Sequence, residues 1–178
     1  MVNHNIVAQN LSNLEWLKLQ PESIPNNLKS QPFAVWKAEP RVGSQGKFNK
    51  APLSPKTGQK IGANKPDLFG SFDEALKSYS VGGYTGIGVL LTGNGIVGVD
   101  IDNYESLFTQ QPQVKHFVSN AIAMGIYCEY SPSATGLRLF TLGKLPSTGR
   151  KCGGLEIYDN ARFLTITGHL FDARKVGA

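Results

Sequence analysis

The amino-acid sequence predicts an α+β fold in a single domain, with a mainly antiparallel central sheet flanked by helices. Three observations predict this fold. The 178 residues suffice for one hydrophobic core and contain no linker that would separate two domains. Short apolar runs rich in β-branched residues, bounded by Gly, Asn and Ser, recur along the chain and predict strands joined by turns. Segments with helical spacing of apolar residues lie between these runs.

The N-terminal part predicts two helices and a strand. Leucine and valine recur at helical spacing before Pro21, which predicts a helix over residues 5–18 within a helical N-terminal extension, 1–30. A short apolar run predicts a strand over 33–36. Ser71 is followed three residues later by a glutamate, the spacing of a capping box, so a second helix is expected from there to about residue 79.

Residues 86–91 and 95–102 carry the clearest strand pattern in the chain. Both runs are apolar and rich in β-branched residues, GIGVLL and GIVGVDID, and the dipeptide Asn94-Gly95 between them is typical of a tight hairpin turn. We therefore expect these two strands to pair with each other in antiparallel fashion.

The C-terminal half predicts one helix followed by four strands. Pro112 precedes an apolar stripe with helical spacing, and Gly125 suits the end of that helix. Further strands are expected over 126–130, 136–141, 154–158 and 162–167. A sheet dominated by antiparallel strands follows from this order.

The positive charge of the chain is concentrated in two segments that lack acidic residues. The formal net charge is +5, from 18 basic and 13 acidic residues. The first segment, 41–66, has the composition of a long loop, and the second is 130–155. On one face they would attract a polyanion such as nucleic acid, whereas scattered lysines would only keep the protein soluble. Their cations are Arg41, Lys47, Lys50, Lys56, Lys60 and Lys65 in the first and Arg138, Lys144, Arg150 and Lys151 in the second.

Cysteine usage and the N-terminus favour a cytoplasmic protein without zinc. Cys128 and Cys152 cannot form a structural zinc site alone, and no histidine stands at a recognised ligand spacing from them. Both thiols are expected to be buried as small apolar groups. The N-terminal residues have neither a basic start nor an unbroken apolar stretch, so neither a secretory signal nor a membrane partner is expected.

Asp100 and Asp102 are the first candidates for a metal site. Alternate residues of a strand share a face, so the two carboxylates are expected about 6–7 Å apart on one surface. A divalent cation would turn their repulsion into attraction, and such a pair suits two ions that present phosphate oxygens for displacement. By the same alternation Glu156 faces away from its apolar neighbours and could be a third ligand or a general base. The alternative is an exposed strand end whose acids cap turns or pair with arginines.

The turn SPSATG, residues 131–136, is a candidate phosphate-binding loop. Its small residues offer backbone amides and hydroxyls to a phosphate, and Arg138 on the following strand adds a fixed positive charge. A purely structural turn is the alternative interpretation.

Taken in order, these motifs resemble the primase-polymerase domain of the archaeo-eukaryotic primase superfamily, and more narrowly the bifunctional primase/polymerase N-terminal domains of plasmid and phage replication proteins. The resemblance spans residues 33–169. It is carried by KFNKAPLSPKTG (47–58), VGVDIDN (97–103), EYSPSATGLRLF (129–140) and GGLEIYDNARFLTITGH (153–169). It implies a prim-pol fold with an RRM-like catalytic module and an N-terminal α/β part.

The resemblance assigns roles to individual residues. Asp100 and Asp102 match the metal-binding D-x-D and Glu156 the third acidic position, which implies catalysis with Mg²⁺ or Mn²⁺. The S-x-x-G-x-H motif, which handles the incoming triphosphate, corresponds to Ser133, Gly136 and Arg138. Two further sets complete the expectation: nucleotide contacts from Lys144 and His169, and nucleic-acid contacts from Lys47, Lys50, Arg150 and Lys151.

The chain departs from this motif at two positions. Ala134 stands where a glycine is common, and Arg138 stands where many relatives carry histidine. Arginine keeps its charge for phosphate but cannot transfer a proton near neutral pH. The resemblance therefore implies triphosphate binding at Arg138 and no acid–base role there.

The resemblance implies a template-dependent DNA primase or polymerase that extends or initiates strands on single-stranded DNA with dNTPs or NTPs. In the family, initiation without a primer commonly depends on a helical domain after the catalytic one, and a helicase is often encoded beyond it. Two alternatives stay open. A non-catalytic single-strand-binding domain would keep the basic surface and a vestigial metal site. A D-x-D glycosyltransferase would use the aspartates on a nucleotide sugar but would leave the later motifs unexplained.

Overall fold

Short helices and eleven strands make up the part of the chain that the computed structural model describes, residues 16–43, 47–147 and 149–176. The strands are β1 (Phe33–Trp36), β2 (Glu39–Pro40), β3 (Phe48–Asn49), β4 (Pro52–Leu53), β5 (Gly86–Thr92), β6 (Ile96–Ile101), β7 (Tyr127–Tyr130), β8 (Leu137–Leu142), β9 (Arg150–Cys152), β10 (Leu155–Tyr158) and β11 (Asn160–Ile166). The α-helices are α1 (Asn26–Lys29), α2 (Phe72–Val81), α3 (Tyr104–Gln110) and α4 (Pro112–Ala123), and 3-10 helices lie at Pro21–Ser23, Pro66–Leu68 and Ala173–Val176.

The strands form two main sheets and one small ribbon. The first sheet has four strands in the order β11-β5-β1-β4, and the second has five in the order β7-β8-β6-β10-β9. β2 and β3 form the ribbon. All of these pairings are antiparallel. The mixture of helices with mainly antiparallel sheets confirms the predicted α+β fold class.

The expected hairpin between residues 86–91 and 95–102 is wrong, although both strands exist. β5 pairs with β1 and β11, whereas β6 pairs with β8 and β10. Gly93 and Gly95 have φ angles of 78° and 84°, so the turn is as tight as the sequence indicates, but it carries the chain from one sheet to the other. Both strands are buried along almost their whole length, as central strands with partners on both sides are.

The two sheets share a hydrophobic core. One cluster of buried side chains joins Val89, Leu91 and Leu164 of the first sheet to Ile96 and Phe140 of the second. Gly98 of β6 allows this close approach, because a Cβ atom there would lie 2.6 Å from Cδ1 of Leu164. A second cluster packs α3 and α4 against the opposite face of the second sheet; it includes Val99, Ile101, Leu139, Leu107, Val114 and Val118.

The helices confirm two expectations and add one element. The capping box at the start of α2 is present, since the hydroxyl of Ser71 accepts from the amide of Glu74, and the Glu74 carboxylate accepts from the amide of Ser71. α4 begins at Pro112 as expected. α3 was not predicted by the sequence pattern.

The N-terminal expectations are tested only in part. Residues 5–15 of the predicted first helix lie outside the described residues, and its remaining residues, 16–18, have no helical structure, so the prediction is wrong for that end of the helix. Cys128 is buried as expected, but Cys152 is exposed on β9, an edge strand, so that expectation is wrong for Cys152. Among the residues covered by the structure, none of the helices has both the length and the apolar character needed to cross a membrane.

Candidate active site

A row of five charged residues crosses the second sheet from edge to edge. The strand register pairs Glu129 with Arg138, Arg138 with Asp100, Asp100 with Glu156, and Glu156 with Lys151. Residues directly opposite each other in a sheet point to the same face, so these side chains lie side by side. We call these five residues the charged row. It brings two of the three predicted acids, Asp100 and Glu156, into direct register.

Arg138 fixes the position of Asp100 within the charged row. Its Nε atom lies 3.2 Å from Oδ1 of Asp100 without the alignment of a hydrogen bond, so the contact is an ion pair. Its Nη1 atom donates to the carbonyl oxygen of Thr165 on β11 at 3.0 Å. The Arg138 side chain is only 7% exposed. The guanidinium therefore lies beneath the carboxylates and joins the two sheets.

Glu156 is surrounded by donors. Lys151 donates to its Oε1 atom, while Arg162 of β11 and the hydroxyl of Tyr158 donate to Oε2 at 2.6 and 3.1 Å. Burial raises the pKa of this carboxyl, but the hydrogen bonds from Lys151 and Tyr158 and the charge of Arg162 together hold it below its usual value. Glu156 is thus held as an anion by partners from β9, β10 and β11.

Asp102 lies just beyond the end of β6 and is exposed. Its backbone amide donates to the carbonyl oxygen of Gly154 at 2.9 Å, which ties it to the start of β10. Although the residue as a whole is exposed, its carboxyl is partly screened from water by the surrounding protein, and this desolvation, followed by the negative charges of Asp100 and Glu156, raises the pKa of Asp102. The charges of Asp100 and Glu156 therefore act on Asp102 and favour its protonated form.

The three carboxylates have the donor chemistry that hard divalent cations such as Mg²⁺ and Mn²⁺ prefer. The clustered negative charge that raises the pKa of Asp102 is a charge that a cation would neutralise. As the side chains stand, however, no three His, Cys, Asp or Glu residues in the described part of the chain are grouped closely enough to hold a metal ion. Both carboxylate oxygens of Glu156 are already engaged, Oε1 by Lys151 and Oε2 by Arg162 and Tyr158.

The loop 131–136 is folded against the end of β6. Ser131 and Gly136 close it with two hydrogen bonds, from the Ser131 amide to the Gly136 carbonyl (2.8 Å) and from the Gly136 amide to the Ser131 hydroxyl (3.0 Å). A Cβ atom at Gly136 would lie 2.7 Å from the carbonyl oxygen of Ile101, the residue between the two aspartates. The hydroxyl of Ser133 bonds to that of Thr135 (2.9 Å). Glycine thus lets this hydroxyl-rich loop lie directly against the D-x-D.

Lys50 lies between the aromatic rings of Trp16 and Trp36, near Arg138 and the two aspartates. Its Nζ atom is 5.4 Å from the first ring centroid and 5.9 Å from the second. Burial and the neighbouring Arg138 lower the pKa of Lys50 to about 8, against the opposing effect of Asp100 and Asp102. Lys50, which the sequence predicts to contact phosphate, therefore lies near Asp100 and Asp102.

Several predicted residues lie away from the acids. Lys144 follows the end of β8, and because Leu142 pairs with Ile96 while Arg138 pairs with Asp100, it lies more than about 13 Å along the strand from the charged row. Arg150 pairs with Ile157, so its side chain leaves β9 on the face of the second sheet opposite to the charged row. His169 contacts the carbonyl oxygen of Lys18 through Nε2. Lys47 is exposed beside β3.

The fold brings to this site other residues that no sequence motif assigns to the acids or to Lys50. Arg162 and Tyr158 hold Glu156, and Trp16 and Trp36 flank Lys50. Glu129 is fully buried and accepts from the Thr167 and Gly168 amides and the Tyr127 hydroxyl. A signal existed only for Glu129 and Tyr158, which alternate with apolar neighbours on their strands.

Comparison with known proteins finds one similarity that bears on this site. No family model matches the chain. The chain is similar to the DNA primase-polymerase of Nitratiruptor phage NrS-1, with 30% identity over 151 residues. The match covers 80% of this chain, which spans only 20% of the length of that relative. Over most of its length the chain is therefore similar to one part of a phage DNA primase-polymerase.

Proposed function

We propose that this chain is the catalytic module of a DNA primase-polymerase, which transfers nucleotides to a strand paired with a single-stranded DNA template. The observation that carries the proposal is the register of the second sheet. It sets Asp100 directly opposite Glu156, with Asp102 at the end of the same strand and the loop 131–136 against it. The similarity to a phage DNA primase-polymerase supports the same function.

Asp100, Asp102 and Glu156 would hold the divalent ions, Mg²⁺ or Mn²⁺. When bound, such ions lower the pKa of an attacking hydroxyl and neutralise a triphosphate and its leaving pyrophosphate. The ion pair with Arg138 orients the Asp100 carboxylate. The exposed Lys151 would leave Glu156 on metal binding, since its flexible side chain can return to water. The loop 131–136 and Lys50 would receive the phosphates of the incoming nucleotide.

Primer extension tests the proposal. A labelled primer on a single-stranded template is incubated with dNTPs or NTPs and Mg²⁺ or Mn²⁺. We expect extension by the wild type and a loss of at least about 100-fold in Asp100→Asn, Asp102→Asn and Glu156→Gln, because each removes a charged ligand. Asp67→Asn is the matched control, because it removes an exposed carboxylate outside the site and should leave extension unchanged. Equal activity in all four variants would overturn the assignment of these acids.

One observation favours a second function, a non-catalytic module that binds single-stranded DNA. Both carboxylate oxygens of Glu156 already have donors from Lys151, Arg162 and Tyr158, which is the arrangement of a structural ion-pair network. This function predicts salt-sensitive binding of single-stranded DNA with no extension under either metal. Wild-type extension that depends on Asp100 would exclude it. A glycosyltransferase is disfavoured, because its usual nucleotide-binding sheets are parallel and the pairings described here are antiparallel.

A further inference from the structure

The segment 16–20 connects the loop 131–136 to the residues that follow β11, 167–169. The amide of Leu17 donates to the carbonyl oxygen of Pro132 in the loop 131–136 (3.0 Å), and the amide of Gln20 donates to that of Thr167 after β11 (2.8 Å). The carbonyl oxygen of Lys18 meets Nε2 of His169. We call residues 16–20 the strap. A side chain at Gly168 would overlap the strap backbone at Gln20, so this glycine is required for its close approach.

Trp16, the first residue of the strap, lies against the aromatic residues around Lys50. Its ring meets those of Trp36 and Phe48 edge to face, with centroid distances of 5.6 and 5.2 Å. Trp36 is buried and anchored by a hydrogen bond from its indole nitrogen to the carbonyl oxygen of Ile87 (3.1 Å). Trp36 is thus a fixed wall of the Lys50 site, and Trp16 is the second wall, supplied by the strap.

We propose that Trp16 is a positioning residue. It holds the ammonium group of Lys50 beside Trp36, so that Lys50 binds the triphosphate of the incoming nucleotide. This inference rests on the proposed function and deepens it. A lysine side chain has several rotatable bonds and prefers water, so in a half-buried position, where burial lowers its pKa, it needs contacts that offset part of the lost hydration. Two aromatic faces do so without neutralising the charge, which leaves the ammonium hydrogens available to a phosphate.

The charged groups around Lys50 favour a triphosphate over the template backbone as its partner. Lys50 acts on the same acids, Asp100 and Asp102, that would bind the divalent ions. Those ions would add positive charge beside Lys50, so Lys50 gains an attractive partner only when a polyphosphate binds with them. The exposed Lys47 on the same segment is better placed for the continuous backbone of a template.

Steady-state primer extension separates positioning from a merely structural role. In Trp16→Leu, which keeps an apolar side chain but removes the aromatic face, we expect KM for dNTP to rise about tenfold or more with kcat within about twofold, because a charge-assisted contact is lost. Trp16→Phe should restore much of the affinity. Lys50→Ala should show the same increase, and adding Trp16→Leu to it should cause no further loss.

Direct binding gives a readout that does not depend on catalysis. The chain has two tryptophans, Trp16 and Trp36, and both flank Lys50, so dATP binding should change their fluorescence. We expect Trp16→Leu to weaken dATP binding about tenfold and leave dAMP binding unchanged, followed through the emission of Trp36. Lys65→Ala is the matched control, because it removes an exposed lysine of the segment 41–66 that has no assigned role and should bind dATP like the wild type.

Three outcomes would overturn the inference. Unchanged KM and dATP affinity in Trp16→Leu, together with a lowered melting temperature, would make Trp16 structural only. Weakened binding of single-stranded DNA with unchanged dATP affinity would assign Lys50 to the template. Additive losses in the double variant would show that Trp16 does not act through Lys50. A wild type that binds dATP but extends no primer would instead contradict the proposed function, and the dATP titrations would still decide the role of Trp16.

Discussion

Ala134 adopts a backbone conformation that favours glycine. Its φ angle is +58°, in the left-handed region, at the point where the loop 131–136 turns back toward β8. A residue with a Cβ atom pays roughly 1–2 kcal/mol in this region. The strain explains why a glycine suits this position and shows that the loop keeps its shape even without one.

Ala134→Gly should raise the free energy of unfolding by about 0.5–1 kcal/mol, because the relief of strain exceeds the entropy that glycine adds to the unfolded chain. Urea unfolding followed by circular dichroism measures this change, with an unchanged m value. Ala123→Gly, at the last residue of α4, is the matched control and should lower the free energy of unfolding by up to about 1 kcal/mol, since glycine is a poor helix former. Destabilisation by both variants would contradict the account.

Glu129 is a buried acid whose protonation contributes to stability. Burial raises its pKa to about 7, against the hydrogen bonds from Tyr127, Gly168 and Thr167 and the charge of Arg138, which favour the carboxylate. The folded state therefore binds this proton more tightly than the unfolded chain, in which the pKa is about 4.5. Its contribution to stability is fully present below pH about 4.5 and is lost as the pH rises to about 7.

Glu129→Gln, which stays neutral, should remove this part of the pH dependence. Between pH about 5 and 7.5, the free energy of unfolding of the wild type should fall by an amount on the order of 2–3 kcal/mol relative to the variant. Urea titrations at a series of pH values measure the difference. Glu22→Gln changes an exposed glutamate and should keep the wild-type slope. A parallel decline in wild type and Glu129→Gln would show that another group is responsible.

At the scale of the strand, the charged row makes Lys151 a competitor for metal ions. Lys151 and Arg150 are neighbours on β9 with the same charge, but only Lys151 shares a face with Glu156 and bonds to it. Lys151→Ala should therefore tighten Mn²⁺ binding several-fold, measured as free Mn²⁺ by electron paramagnetic resonance. Arg150→Ala makes the same change in net charge from the opposite face and should have a smaller effect. Equal effects would indicate only a long-range influence of charge.

Strand positions could be predicted from the sequence more completely than strand partners. The alternation that puts Asp100 on the opposite face from its apolar neighbours is local, and so is the capping box at Ser71. Pairing is not local: the turn at Asn94-Gly95 looks like a hairpin, but both flanking strands are buried and prefer different partners. Arg162 reaches Glu156 from the other sheet, a contact that no spacing along the chain reveals.

At the scale of the whole molecule, the fold divides the basic residues into paired and free groups. Lys60 lies 3.2 Å from Glu39 and Lys56 lies 3.6 Å from Glu74, so both are partly neutralised by acids from outside their segment. Lys47 is exposed and has no ion pair within the described residues. The number of cations in a segment therefore overstates the charge that it offers to nucleic acid.

Lys47→Ala should reduce the salt dependence of single-stranded DNA binding, while Lys60→Ala should leave it nearly unchanged. One lost phosphate contact lowers the slope of log K against log salt concentration by about 0.7 for a single strand. Fluorescence anisotropy of a labelled oligonucleotide across a series of salt concentrations measures the slope. Equal slopes for the two variants would show that the ion pair of Lys60 does not shield it from DNA.

The hydrogen bonds that join β11 to Glu156 and Arg138 make the site depend on both sheets. Arg162 of β11 donates a hydrogen bond to Glu156, and the carbonyl oxygen of Thr165 on the same strand accepts one from Arg138. The proposed catalysis thus depends on contacts between the two sheets rather than on either sheet alone. We expect low concentrations of urea that weaken these contacts to lower primer extension while each sheet still keeps its own hydrogen bonds. Because β11 follows the whole second sheet along the chain yet pairs with β5 of the first, no single cut of the backbone divides the two sheets.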